Sequence, residues 1–182
     1  MNIRKMRGAG GLDVFLVGGV QVRGEGETLS TAYADIDGLY FEIARAVALR
    51  SGEMSAEEVR FLRKRIGMTQ EELGALGGKK AQVAAKWEKG QLPMPRAEAT
   101  LLRLRWLGEH APKEVRPALK QLTASGPQSH AACFVFRFNG DRWVRELGTP
   151  VQETHDSAAR DARVAIATAR ATETAYTQGA YA

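Results

Sequence analysis

Hydrophobic and polar positions repeat most regularly in the middle of the chain. The segment "AEEVRFLRKRI" sets Val59, Leu62 and Ile66 on one helical stripe, with Arg60, Arg63 and Lys64 outside it. Ser55 and Glu58 make a capping box in front of it, and Gly67 ends it. Thr69 and Glu72 make a second box that opens "QEELGAL", and Gly77-Gly78 close that short helix. A third helix lies in "KKAQVAAKWEKG" and stops at Gly90. After the break "LPMPR", Pro95 is placed to start "RAEATLLRLRWLG". This helix is apolar at Ala97, Leu101 and Leu104 and again at Leu102 and Trp106, a stripe wider than one small domain needs. "APKEVRPALKQL" predicts one further short helix.

The flanks follow a period of two instead. "VFLV" and "VQVR" are β-prone runs around Gly18-Gly19, which predicts a hairpin with a tight two-residue turn. Residues 24–31 read as a loop. "DIDGLYFEIARAVALR" returns to helical spacing at Ile36, Leu39, Tyr40, Ile43 and Val47, with Asp35 or Asp37 as the cap. "TASGPQSH" has the composition of a linker. Beyond it, "CFVFRF" and "DRWVRE" flank Asn139-Gly140, the preferred type I′ pair, and predict a second hairpin. Phe134, Phe136 and Phe138 share one side of that strand and need burial. "DSAARDARVAIATARATE" predicts an Ala-rich helix capped by Asp156 or Ser157, followed by a frayed tail.

Charge sharpens this layout. Of 182 residues carrying a net +5, residues 53–123 hold fourteen basic and nine acidic side chains, the entire excess. Residues 1–52 and 124–182 each hold six of either sign. A basic middle between neutral flanks fits a polyanion-binding module, because neutralising phosphates releases their counterions. A single cysteine, Cys133, excludes an internal disulfide and any multi-cysteine zinc site. His110, His130 and His155 have no partner at ligand spacing, and Asp13, Asp35 and Asp37 read as caps and turn residues. No nucleophile–base pair, metal cluster or phosphate loop is present, so the expectation is a protein that is not an enzyme and uses no cofactor or metal. No run approaches the ~18 apolar residues of a spanning helix, and a soluble cytoplasmic protein is expected.

Four helices joined by tight turns, with a short second and a third after a glycine turn, fit a helix-turn-helix. Such a module turns the start of its second helix to the sugar-phosphate backbone and one face of its third into the major groove. Thr69 and Gln70 stand at the first of these places, where free N–H groups and an amide suit a phosphate oxygen. Lys79, Gln82, Val83 and Lys86 fall on one arc of the third helix, with Lys80 and Lys89 adding charge. Gln82 can pair with adenine, Lys86 with guanine, and Val83 can touch a thymine methyl. Ala84 and Trp87 face the other way, as an anchor.

The stretch from Val59 to Leu107 resembles the Cro/C1 (XRE)-type helix-turn-helix family. The shared pattern is matched at Gly67, Met68, Thr69, Gln70, Glu72, Gly78, Trp87, Glu88 and Gly90. More narrowly, residues 11–107 are similar to the helix-turn-helix half of MqsA-type zinc-finger antitoxin regulators. The resemblance implies a homodimer that binds a palindromic operator in double-stranded DNA and represses transcription, with base contacts at Gln82 and Lys86. It also implies an alternative, an antitoxin-like protein that mainly neutralises a toxin protein. The family's zinc site uses paired cysteines that this chain lacks, which puts metal binding and the toxin contact built on it in question.

The expected fold is α+β. A helix-turn-helix domain spans residues 53–122, after an N-terminal β-hairpin and helix over 1–52. A linker at 123–130 then leads to a C-terminal ββα unit at 131–182, suited to dimerisation or docking. The wide stripe through Leu101, Leu102, Leu104 and Trp106 divides between the domain core and a two-fold interface.

Overall fold

The computed structural model describes residues 3–6, 8–24, 30–123 and 133–146. They form a mixed fold of helices and small sheets in two compact units. One unit takes six strands and the first part of a helix, α1 (Ile36–Leu49). The other takes residues 10–12, the rest of α1 and five further helices: α2 (Ala56–Ile66), α3 (Gln70–Ala75), α4 (Ala81–Glu88), α5 (Arg96–His110) and α6 (Val115–Thr123).

The helical unit is built largely from local signals. At the start of α2, Ser55 Oγ accepts from the Glu58 N–H at 3.2 Å while the Ser55 N–H donates to Glu58 Oε2 at 2.9 Å. Gly67, at φ +78°, turns the chain so that the Met68 N–H reaches the Arg63 carbonyl at 3.1 Å, a helix stop that glycine makes without strain. Behind these caps, Leu62 of α2, Leu73 of α3, Ala84 and Trp87 of α4, and Leu102 and Trp106 of α5 are buried. The leucines among them contribute about 1.5–3 kcal/mol each when taken from water. The wide stripe of α5 splits as expected on its inner side only: Leu102 and Trp106 are buried, Leu104 is half-buried, and Ala97 and Leu101 are exposed. Among the polar groups, Arg50 is buried with Glu58, its Nε donating to Oε1 at 2.8 Å. Arg103 is buried beside them and donates from Nη2 to the Gly52 carbonyl at 3.0 Å. Burial, together with the Arg50 charge and against the pull of Glu58, pushes the Arg103 guanidinium down to about 10.

The strand unit departs from the expected layout. β1 (Ile3–Lys5), β2 (Asp13–Val17), β5 (Cys133–Phe138) and β6 (Trp143–Arg145) form one sheet in the order β1-β2-β5-β6. β2 and β5 run parallel, with Phe15 beside Val135 and Leu16 beside Phe136. The N-terminal hairpin across Gly18-Gly19 therefore does not form, because β2 already has a neighbour on each edge. Its run Val14–Val17 is buried throughout, the mark of a strand covered on both faces. β3 (Val20–Arg23), which alternates half-buried and exposed, pairs instead with β4 (Ser30–Tyr33) in a separate two-stranded sheet. Part of the expected 24–31 loop is thus strand. Gly18 and Gly19 both take positive φ, and a Cβ on Gly19 would lie 2.7 Å from Phe138 Cβ and 2.8 Å from the Trp143 ring.

The C-terminal hairpin does form, but not as part of a separate ββα unit: β5 is an inner strand of the sheet shared with the N-terminal strands. This buries Phe134 and Phe136, which need a cover that a lone hairpin could not give. Its turn is centred on Gly140-Asp141, one residue later than expected. Asn139 Oδ1 accepts from the N–H groups of Asp141 and Arg142 at 3.1 and 2.9 Å, an Asx turn in place of the type I′ pair. The expected linker at 123–130 lies, but for the end of α6, outside the described residues, as does the Ala-rich helix. No helix of the described residues is long and apolar enough to cross a membrane.

Candidate nucleic-acid interface

The third helix of the motif, α4, has one face held and one face free. Ala84, Trp87 and Glu88 are buried, while Gln82 and Lys86 are exposed, as is Lys89 at the C-terminal cap. Spacings of four and three residues put these three within one arc of the helix. Val83 is half-buried at the edge of that arc. Lys79 and Lys80 are also exposed but lie before the helix, Lys80 as its N-cap residue. Lys79 therefore belongs to the entry turn, not to the helical arc expected for it. None of these lysine side chains, nor the Gln82 side-chain amide, has a hydrogen-bond or ion-pair partner among the described residues. Lys80 gives α4 no side-chain cap; the Val83 N–H turns back to the Lys80 carbonyl at 3.0 Å, and the Ala81 and Gln82 N–H groups are left for water or an anion.

The angle of α4 is set at the turn before it. Gly78 takes φ +64°, and the Lys79 N–H donates to the Gly74 carbonyl at 2.9 Å. Gly74 itself is buried in α3, and a Cβ there would stand 2.7 Å from the Lys79 carbonyl oxygen and 2.9 Å from that of Lys80. The chain entering α4 thus runs directly over Gly74, whereas the turn signals of the sequence point only to Gly77 and Gly78. A Cβ on Gly77 would meet the movable end of the Glu98 side chain, a softer constraint.

The start of α3 is less open than expected. The Thr69 hydroxyl accepts from the Glu72 N–H at 3.1 Å and donates to Glu72 Oε2 at 2.9 Å. Thr69 is exposed, but its side chain is spent inside the capping box. The Thr69 backbone N–H, followed by its hydroxyl, holds the Glu72 carboxyl below its ordinary value, so this end of α3 carries a negative charge. Gln70 is half-buried, and its Nε2 donates to Glu88 Oε2 at 2.7 Å rather than facing outward.

Glu88 joins three helices. Arg63 of α2 donates to it through Nη2 at 3.1 Å and through Nε, while Gln70 of α3 reaches it from the other side. Arg63 also donates from Nη1 to the Met68 carbonyl at 2.6 Å, which ties the α2–α3 turn into the same network. Burial works to raise the Glu88 carboxyl. The hydrogen bonds from Arg63 and Gln70 and the charges of Arg63 and Arg60 outweigh it and hold the group below its ordinary value. In the sequence Glu88 stands out only as part of the shared family pattern. Its partners, Gln70 and Arg63, stand 18 and 25 residues away, beyond what local periodicity reports.

Outside this region, His110 stacks on Trp106 with centroids 4.9 Å apart, and its Nδ1 lies 3.0 Å from the Trp106 carbonyl oxygen. That gives it a structural partner that the sequence did not reveal. Cys133 is half-buried, and burial, then the Asp13 charge, pushes its thiol up to about 11, far from a nucleophile's range.

Comparison with known proteins places one label on this unit. No curated protein and no solved structure matches the chain. Residues 59–99, from α2 into α5, match the family model described as helix-turn-helix, which marks the segment as the DNA-binding part of a transcription regulator.

Proposed function

We propose that the protein is a sequence-specific transcriptional repressor that binds a palindromic operator as a homodimer, with α4 in the major groove. The observation that carries this reading is the division of α4: Ala84, Trp87 and Glu88 are held by the domain, while Gln82, Lys86 and Lys89 stand free on one side. In this reading Gln82 pairs with adenine, Lys86 with guanine, and the Val83 methyls meet a thymine. Lys79, Lys80 and Lys89 contact phosphates, and the uncapped first turn of α4 adds N–H donors where a backbone oxygen would pass. The start of α3 is the weaker phosphate site. Gln70 can offer its backbone N–H there, but the Thr69 N–H is held by the Glu72 carboxylate, both side chains are engaged, and Glu71 and Glu72 add negative charge. Exposed Leu101, with Leu104 half-buried beside it on α5, is the two-fold contact that would set half-site spacing near one DNA turn. Nearness to MqsA-type regulators, and self-regulation of the operon, belong to this same proposal.

A titration of the full chain against its own upstream DNA, read by fluorescence anisotropy at several salt concentrations, tests it. The expected result is salt-sensitive binding that prefers a palindrome over scrambled DNA of the same length. Equal binding to both, or none at low salt, would refute it.

A further inference from the structure

The residues of α4 fall into three groups by exposure. Ala84, Trp87 and Glu88 are buried, Gln82 and Lys86 are exposed, and Ala81, Val83 and Ala85 are half-buried. A helix turns by ~100° per residue, so the buried three cluster on one side, while Gln82, Lys86 and the capping Lys89 share an arc of ~60° on the other. Measured from Gln82, Ala85 stands ~60° to one side and Val83 ~100° to the other. Ala85 lies ~40° beyond Lys89, and Val83 ~60° beyond Lys86. Ala85 is therefore the nearer flank of the free arc.

Resting on the reading of α4 as the groove helix, we infer that Ala85 is a further specificity-determining residue. Its methyl packs on the C5-methyl of a thymine, in the base pair beside the one that Gln82 reads. Ala85 follows Gln82 by three residues, ~4.5 Å along the helix, against a base-pair step of ~3.4 Å. A helix lying in the major groove thus carries the two side chains to neighbouring base pairs.

The chemistry selects thymine. An alanine side chain offers no donor and no acceptor, and of the base edges in the major groove only thymine's presents a methyl. Cytosine at that place would set its N4 amino group against the Ala85 methyl, and adenine would do so with N6 and guanine with O6. Each would give up water without gaining a partner. A bare methyl also keeps α4 close to the bases, where a longer side chain at this angle would hold it off. Val83 supplies the methyl contact on the other flank, so a half-site carries two thymines read by shape. An alanine that merely faces solvent would leave no such mark on the DNA.

The probe is the palindromic duplex from the protein's own upstream DNA, with the thymines of one half-site replaced singly by deoxyuridine, which lacks only the C5-methyl. Binding of the full chain is read by fluorescence anisotropy. In the wild type, deoxyuridine at each of two thymines should weaken binding about fourfold, the worth of burying one methyl-sized group. Ala85→Ser keeps the size of the side chain and puts a hydroxyl at the contact, which can serve several base edges. It should reduce the deoxyuridine effect at one of the two sites to less than about twofold, against fourfold in the wild type, and leave the other site unchanged. Ala85→Gly, which deletes the methyl outright, should remove the same site's sensitivity, and Val83→Ala should act on the other site alone. Deoxyuridine effects in both Ala85 variants equal to those of the wild type at every thymine would overturn the inference and leave α4 as the reading helix. So would a half-site with no methyl-sensitive thymine, or with one that depends on Val83 alone. Binding without any sequence preference would overturn the reading of α4 itself, and the role of Ala85 with it.

Discussion

The helical unit and the strand unit solve the same problem, burying apolar surface, with information kept at different distances along the chain. In the helical unit the helix starts and stops are decided locally. Ser55 meets Glu58 three residues on, Thr69 meets Glu72 three residues on, and Gly67 and Gly78 turn the chain where they stand. In the strand unit the central decision is the pairing of β2 with β5, which brings Asp13 beside Cys133, 120 positions away. Local caps leave the surface of α4 free for a ligand. Long-range pairing spends its strands on one another and buries the run Val14–Val17 throughout.

The largest expected effect separates packing from recognition. Arg50→Met would leave Glu58 buried without its guanidinium, and urea unfolding should show a loss of about 3–5 kcal/mol. Arg103→Met should cost far less, since Arg103 keeps one hydrogen bond, has a buried Nε without a partner, and repels Arg50. Equal losses would mean that the Arg50–Glu58 pair is not the ion pair that matters. Gly74→Ala comes next, at about 1–3 kcal/mol for forcing a methyl against two carbonyl oxygens. It should also weaken DNA binding, because the entry to α4 must move, and retained affinity would show that α4 is not positioned there.

A smaller effect separates the two units by pH. Glu88 has its folded value depressed, so its contribution to stability is fully present above the ordinary glutamate value of 4.5 and is lost as pH falls through the folded value. Acid unfolding followed by Trp fluorescence should therefore begin below about pH 4.5 in the wild type. Glu88→Gln should be less stable at neutral pH and have a flatter acid limb, and an unchanged limb would remove Glu88 from the account. Lys79→Ala is the mildest change. It should weaken binding to all DNA sequences alike and reduce the salt slope by about 1.

Legibility follows the same division. Both capping boxes, the end of α2 at Gly67 and the inward side of Trp87 follow from residues within one or two helical turns. The partners of Gln70 and Glu88 do not, because a polar side chain inside a helix pattern looks the same whether it meets solvent or another helix's side chain. Gly74 was hidden for a related reason: its need for no side chain comes from a backbone that crosses it, not from its own φ. In the strand unit, Gly18-Gly19 correctly marks a change of direction, but a turn signal does not say which strands it joins. The four consecutive apolar residues of β2 held the better clue, since a strand covered on both faces sits inside a sheet rather than at a hairpin's edge.

The most direct test of the central claim is the binding of Gln82→Ala to operator DNA and to variants changed at single base pairs. If α4 reads the groove, the substitution relaxes discrimination at one base pair by about 1–3 kcal/mol and leaves the salt slope unchanged. A variant that stays folded and keeps the wild-type preference at every base pair would contradict the assignment of α4 as the reading helix.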